Sequence, residues 1–183
     1  MPMDPILSRI IERVLNPLEG SGCGSPEYDA SVAVIYEEPS RSIVLVERVE
    51  RPGDPWSGHI AFPGGFRKPG EDSYETAIRE AWEEIQIDLK RALHLGDIGM
   101  WITRGSVRVI PHIFISRETL EPSPGEEVAR VIKVGINHIE RIKCPQNISR
   151  PPCFRTPYTG DKVIWGLTAR IIEWLMTHER SER

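Results

Sequence analysis

The segment GGFRKPGEDSYETAIREAWEEIQI, residues 64–87, carries the strongest structural and chemical signal in this chain of 183 residues. Pro69-Gly70 favours a turn, and Asp72 or Ser73 is a suitable cap for a helix that follows it. The apolar spacing predicts that helix over residues 73–85. On a helical wheel one face carries Ala77, Ala81 and Ile85, and another carries Glu80, Glu83 and Glu84. The first face is suited to a hydrophobic core, and the second forms what we call the acid cluster.

The acid cluster needs positive charge beside it. Carboxylates one helical turn apart repel each other by a few tenths of a kcal/mol per pair. Arg79 borders Glu83 on the wheel, and a bound divalent cation would supply the remaining charge. If only the helix residues are considered, the alternative is that the acid cluster is an ordinary solvent-exposed face. A Gly64-Gly65 turn, which lets backbone approach a ligand closely, and Glu71, which can fold back toward the same face, favour the cation site.

The spacing of these residues resembles the Nudix box, Gly-x5-Glu-x7-Arg-Glu-U-x-Glu-Glu-x-Gly-U, in which U is apolar. Its fixed charged positions are matched by Glu71, by Arg79-Glu80 and by Glu83-Glu84, and its first glycine is Gly65. Gln86 stands where the family has a second glycine. Because that position leaves the helix in a left-handed conformation, glutamine there is expected to be strained by about 1 kcal/mol.

The resemblance implies an α+β fold of the Nudix type, an α/β/α sandwich with a mixed sheet. It also implies Mg²⁺ or Mn²⁺ as the cofactor, with Glu80 and Glu84 as principal ligands and Glu83 and the Gly65 carbonyl as further ligands. Arg79 would hold a glutamate in place through a charge-assisted hydrogen bond. The implied reaction is metal-assisted hydrolysis of a nucleoside diphosphate linkage, without a covalent enzyme intermediate.

The resemblance leaves the general base open between Glu83 and a glutamate from a loop. Nudix members often place such a glutamate near the metal, and the loop 123–128 offers Glu126 and Glu127. The alternative for these two residues is an acidic turn that precedes a strand. Replacement of the base would lower turnover by orders of magnitude.

Flanking segments resemble the coenzyme A pyrophosphatase branch of the family. They are Val44–Arg48, Gly58–Gly65, Val109–Pro111, Glu127-Val128 and Ile164–Arg170. The likeness implies that coenzyme A or a derivative is cleaved to 3′,5′-ADP and 4′-phosphopantetheine. The alternatives are ADP-ribose or another nucleoside diphosphate derivative as substrate and, in a different class, a nucleotide-binding module without turnover.

Three arginines are candidates for substrate phosphate. Arg48 occupies the first arginine position of that branch, and Asp54 stands where its second arginine falls, so that Arg51 is expected to substitute. Arg104, in a predicted loop, is a candidate for the pyrophosphate or else a solvated turn residue. Trp56, in the same loop as Asp54, would either stack on a base or be buried, and we favour burial.

The rest of the chain completes the expected organisation. An amphipathic helix over 4–16 and a loop form an appendage, residues 1–25, to a Nudix hydrolase domain of residues 26–183. A last helix is predicted over 167–178. Strands are predicted over 30–36, 42–48, 59–62, 96–103, 107–116 and 129–134, with a hairpin through Phe154 and 163–165.

Composition limits the function classes. With 39% hydrophobic residues, a net charge of −4 and no long apolar run, the chain has neither a global attraction for nucleic acid nor the pattern of an integral membrane protein. The expected partner is a small nucleotide-type molecule, and the N-terminal helix offers a surface for a homodimer. The first residues lack the pattern of a secretory signal, which predicts a cytoplasmic protein. A Cys144–Cys153 bridge is compatible with the sequence, and Cys23 would then be unpaired.

Overall fold

The computed structural model of the chain describes residues 4–15, 27–53, 56–149 and 151–177. The three α-helices in these ranges are α1 (Pro5–Leu15), α2 (Ser73–Ile85) and α3 (Gly166–Met176). The strands are β1 (Ala30–Glu37), β2 (Ser42–Arg48), β3 (Ile60–Ala61), β4 (Gly64–Phe66), β5 (Leu93–Asp97), β6 (Trp101–Ile102), β7 (Arg108–Ser116), β8 (Val128–Gly135), β9 (Glu140–Ile142) and β10 (Cys153–Arg155).

The first eight strands form one mixed sheet around β1 and β2. All eight residues of β1 pair in parallel with β7, while the same strand pairs antiparallel with β2 and with β4. Strand β2 also pairs antiparallel with β3 and β8, and β7 pairs with β5 and β6. A sheet with both orientations confirms the predicted mixed architecture.

Helices cover both faces of this sheet, which gives the predicted α/β/α sandwich. On one face the buried residues Ala77, Ala81 and Ile85 of α2 pack against alternate residues of the strands, such as Ala33 and Ile35. This is the apolar face that the wheel predicts, and its packing turns the acid cluster away from the core.

Helices α1 and α3 pack on the opposite face of the sheet. Leu7 and Ile10 of α1 lie in the same core as Ile171 and Leu175 of α3. The apolar face of the N-terminal helix therefore packs on the core of this chain itself. The predicted boundary at residue 25 lies outside the described residues, as do Cys23 and Asp54.

Two predictions of local structure are wrong. Gly64-Gly65 belongs to strand β4 rather than to a turn, because this segment pairs with Ser31 and Val32 of β1. The strand predicted over 96–103 is interrupted, since Gly99 has a φ of 78° and its amide donates to Asp97 Oδ1.

The hairpin predicted through Phe154 and residues 163–165 is confirmed at one pair of residues. Phe154 and Ile164 form an isolated antiparallel bridge, while strand β10 itself pairs with β9. Beside it, Cys144 and Cys153 form a disulfide. None of the helices in the described ranges has the length and apolarity that a bilayer crossing requires.

Candidate active site

Helix α2 is fixed at both ends by local contacts. At its start Asp72 Oδ1 accepts a hydrogen bond from the Glu75 amide at 2.8 Å, and Glu75 Oε2 accepts from the Asp72 amide at 2.9 Å, which is a capping box. At its end Gln86 has φ 56° and ψ 31°, and its amide donates to the Trp82 carbonyl. The left-handed conformation expected at Gln86 is thus present, and the acid cluster lies on a helix with defined ends.

Arg79 contacts three carboxylates of the site. Its Nε donates to Glu71 Oε1 at 2.5 Å and its Nη2 to Glu71 Oε2 at 3.0 Å, while Nη1 contacts Glu80 Oε1 at 2.6 Å and Glu83 Oε2 at 2.9 Å. The Arg79 hydrogen bonds hold the pKa of Glu71 down at about 2. One guanidinium therefore binds Glu71 in bidentate fashion and also orients two members of the acid cluster.

Glu80 is held against the backbone of β4. A Cβ atom at Gly65 would lie only 2.6 Å from Glu80 Oε1, so the absence of a side chain at Gly65 makes room for this carboxylate. Burial raises the pKa of Glu80 even though Arg79 is in contact with it. Part of the negative charge of this carboxylate thus lacks compensation in the protein.

Glu84 is the most enclosed member of the acid cluster, with a side chain only 5% exposed. Its Oε2 accepts from the Gly64 amide at 3.0 Å, and its Oε1 accepts from Arg48 Nη1 at 3.2 Å. Burial raises its pKa to about 7, although the Gly64 amide and Arg48 act in the opposite direction. The negative charge of Glu80 contributes to this rise, as expected for two carboxylates that share one site.

Glu83 differs from its neighbours because it points toward solvent, with 47% of its side chain exposed. Its Oε1 accepts from Lys68 Nζ at 2.8 Å, and this contact, together with Arg79, lowers its pKa. Lys68 was not a candidate in the sequence analysis. Its position within the variable residues of the box gives no signal that it reaches the helix.

The loop that precedes β8 docks on the end of α2. The Ser123 amide donates to the Ile85 carbonyl at 3.0 Å, and the Gly125 amide donates to the Glu84 carbonyl at 2.9 Å. A Cβ atom at Gly125 would lie 2.2 Å from the Glu83 carbonyl oxygen, so only glycine allows this approach. The loop is thereby attached directly to the acid cluster.

The docked loop brings Glu127, rather than Glu126, to the site. Glu127 Oε2 accepts from Arg48 Nη2 at 3.2 Å, and Arg51 Nη1 lies 3.6 Å from Glu127 Oε1. Arg51 contacts Glu126 through the backbone carbonyl of that residue. Arg48 thus joins Glu84 and Glu127, two candidates that are far apart in the sequence.

Two other candidates lie apart from this group. Arg104 is exposed in the turn between β6 and β7, and no contact described in the structure joins it to the acid cluster. Trp56 is 48% exposed, so the favoured expectation that it is buried is wrong.

Basic side chains contact every carboxylate of the acid cluster: Arg79 contacts Glu80, Arg48 contacts Glu84, and Lys68 and Arg79 contact Glu83. In the described ranges no three His, Cys, Asp or Glu side chains converge on a point that an ion would occupy. Lys68 has an exposed side chain, and exposed ion pairs contribute only about 0–1 kcal/mol. Burial raises the pKa values of Glu80 and Glu84, and a cation next to them would favour their charged forms. Oxygen-only donors of this kind suit Mg²⁺ or Mn²⁺.

The chain is similar in sequence to known proteins. Residues 27–142 match the family model described as NUDIX domain. An uncharacterized Nudix hydrolase, NudL, of Yersinia enterocolitica is 28% identical over 178 residues, which cover 92% of this chain and 91% of that protein. NudL of Photorhabdus laumondii is 31% identical over 127 residues, or 65% of this chain and 67% of that protein.

Solved structures share the fold at lower identity. An Ap4A hydrolase of C. elegans superposes with a TM-score of 0.52 at 20% identity, over 59% of this chain and 80% of that one. A MutT Nudix hydrolase of Burkholderia pseudomallei gives a TM-score of 0.51 at 19% identity, over 83% of this chain and all of that one.

Proposed function

This chain belongs to the NUDIX domain family, and on that premise we propose that it cleaves the diphosphate of coenzyme A or a coenzyme A derivative. As a Nudix hydrolase it acts on phosphoanhydride bonds in nucleoside diphosphate derivatives. The proposal concerns which derivative it uses and which residues do the chemistry. The products would be 3′,5′-ADP and 4′-phosphopantetheine, with one water consumed.

The observation that carries the proposal is the position of Arg48. This arginine occupies the first arginine position of the coenzyme A pyrophosphatase pattern, and it contacts both Glu84 and Glu127. Arg51, with half of its side chain exposed, lies beside the same Glu127. Two guanidinium groups next to the acid cluster suit a substrate that carries a diphosphate and a further phosphate.

We assign the carboxylates as follows. Glu80 and Glu84 would be the principal ligands of a divalent cation, and Glu83 and the Gly65 carbonyl would complete the protein's share. When bound, the cation offsets the charge of the diphosphate and lowers the pKa of water. Arg79 would keep Glu80 and Glu83 in register through the contacts described above.

The general base is Glu127 in this proposal, with Glu83 as the alternative. Glu83 has a lowered pKa while Lys68 is bound to it, which disfavours proton uptake by Glu83. Glu127 is held next to Glu84 by Arg48, so it can take a proton from a water that attacks phosphorus in line with the leaving oxygen. The hydrolysis needs no covalent bond to the enzyme.

A substrate panel tests the proposal. Coenzyme A, acetyl coenzyme A, ADP-ribose and diadenosine polyphosphates are each incubated with Mg²⁺ or Mn²⁺, and the products are identified by mass spectrometry. The proposal predicts the highest kcat/KM for a coenzyme A compound and no turnover above background for Glu84→Gln. Preferred cleavage of ADP-ribose would replace coenzyme A with the alternative substrate class.

A further inference from the structure

Two exposed aromatic rings, those of Trp56 and Phe66, lie in contact with each other. Trp56 is 48% exposed and Phe66 is 54% exposed, whereas Tyr36, Phe62 and Phe114 are buried. The ring centroids of Trp56 and Phe66 are 6.3 Å apart, and the ring planes are inclined at 61°. Two large rings exposed together form a contiguous apolar surface, the kind of surface that marks ligand-binding sites when it is large enough.

Phe66 is attached to helix α2 through its backbone carbonyl. Its carbonyl accepts from Arg79 Nη2 at 2.9 Å, and it directly follows Gly65, which lies against the Glu80 carboxylate. Successive side chains of a strand point to opposite faces, so the Phe66 ring lies across β4 from Glu80. A ligand on the ring would reach the acid cluster by passing Gly65 at the edge of the strand.

Trp56 is connected through backbone hydrogen bonds to Arg48 at the end of β2. Its carbonyl accepts from the His59 amide at 3.1 Å, and the His59 carbonyl accepts from the Arg48 amide at 3.0 Å. The neighbouring Ser57 Oγ accepts from the Arg51 amide at 2.8 Å. The loop that carries the Trp56 ring is therefore held by the two arginines that lie beside Glu127.

We propose that the Trp56–Phe66 ring pair binds the purine base of the substrate's nucleotide half. Inclined rings form a corner in which a third flat ring can stack on one ring and meet the edge of the other. Arg51 contacts the residue next to Trp56, and Arg79 contacts the Phe66 carbonyl. Because these cations suit phosphate, the ring pair is suited to a base joined to a diphosphate rather than to an isolated apolar molecule. This inference rests on the proposed function, because it assigns one half of that substrate to one surface.

Binding of the two product halves tests the inference without turnover. Trp56→Leu and Phe66→Leu remove a flat ring and keep apolar bulk, and Trp56→Phe keeps a ring. Tyr158→Leu is the matched control, since Tyr158 is an aromatic residue of similar exposure, 47%, on another part of the surface. Isothermal titration measures the affinity of each variant for 3′,5′-ADP and for 4′-phosphopantetheine.

The two leucine variants are expected to bind 3′,5′-ADP about 5- to 150-fold more weakly, the range given by the loss of one stacking ring. Trp56→Phe and Tyr158→Leu should stay within about threefold of the wild type, and affinity for 4′-phosphopantetheine should not change. With coenzyme A as substrate, KM should rise in the leucine variants and kcat should stay within about twofold. Unchanged affinity for 3′,5′-ADP in both leucine variants, or an equal loss for both ligands, would overturn the inference.

The same data separate this inference from the proposed function. Ring-dependent binding of 3′,5′-ADP by a protein that does not cleave coenzyme A would refute the proposed substrate and retain the base site. Cleavage of coenzyme A with ring-independent binding would refute the base site alone.

Discussion

Gly65→Ala is the smallest change that displaces an acid-cluster carboxylate. The new Cβ would lie 2.6 Å from Glu80 Oε1, and ordinary contact begins at 3.4 Å, so the carboxylate must retreat by about 0.8 Å. Gly65 does not need a left-handed backbone conformation, so alanine adds no backbone strain. A displacement of about 1 Å at a reacting centre can cost about 100-fold in rate, or nearly 3 kcal/mol of transition-state stabilisation.

Steady-state hydrolysis of the preferred substrate, measured with saturating Mg²⁺, provides the assay. We expect kcat/KM to fall by about 30- to 100-fold, and we expect the melting temperature to stay within about 3 °C because only the end of a flexible side chain has to move. Gly105→Ala is the matched control, since its new Cβ would have no neighbour within 4 Å. Equal rates for the two variants would refute the claim that the position of Glu80 matters.

Three further changes test other parts of the site and fold. Burial lowers the pKa of His112 to about 4, so the charged form favours unfolding, and the contribution of His112 to the free energy of unfolding should fall by about 3 kcal/mol from pH 7 to pH 4. Denaturant titrations should show this loss to be smaller in His112→Gln; an identical pH dependence would contradict the assignment. Glu127→Gln should lower kcat by about 100- to 10,000-fold and Glu126→Gln by less than twofold, as followed by product release. Arg79→Lys keeps the charge but not the bidentate contact with Glu71, and should lower kcat/KM by about 10- to 100-fold; an unchanged value would show that the guanidinium geometry is irrelevant.

The parts of the site that depend on neighbouring residues could be predicted from the sequence. The bounds of α2 follow from the Asp72 cap, the helical spacing of the apolar residues and the left-handed conformation at Gln86. Each of these acts within a few residues. The separation of its core face from its acid cluster follows from the same period. The identity of the cation-binding candidates follows from the resemblance, which is also local.

The parts that depend on long-range packing could not be predicted in this way. Gly65 belongs to a strand because Ser31, far away in the sequence, pairs with it. Glu127 lies near Glu84 for two reasons. The Gly125 amide donates to the Glu84 carbonyl at the end of α2, and Arg48 donates to both carboxylates. The exposure of Trp56 depends on how its loop is anchored, and composition carries no signal for that.

Titration of Mn²⁺ into the protein, followed by electron paramagnetic resonance, tests most directly whether the buried carboxylates of α2 hold a divalent cation. The account predicts that the wild type binds Mn²⁺ and that Glu84→Gln loses more than the 10- to 100-fold in affinity that removal of an outer-shell partner costs. Glu75→Gln, on the same helix and compatible with its capping box, should bind as the wild type does. Equal Mn²⁺ affinity in all three proteins would contradict the account.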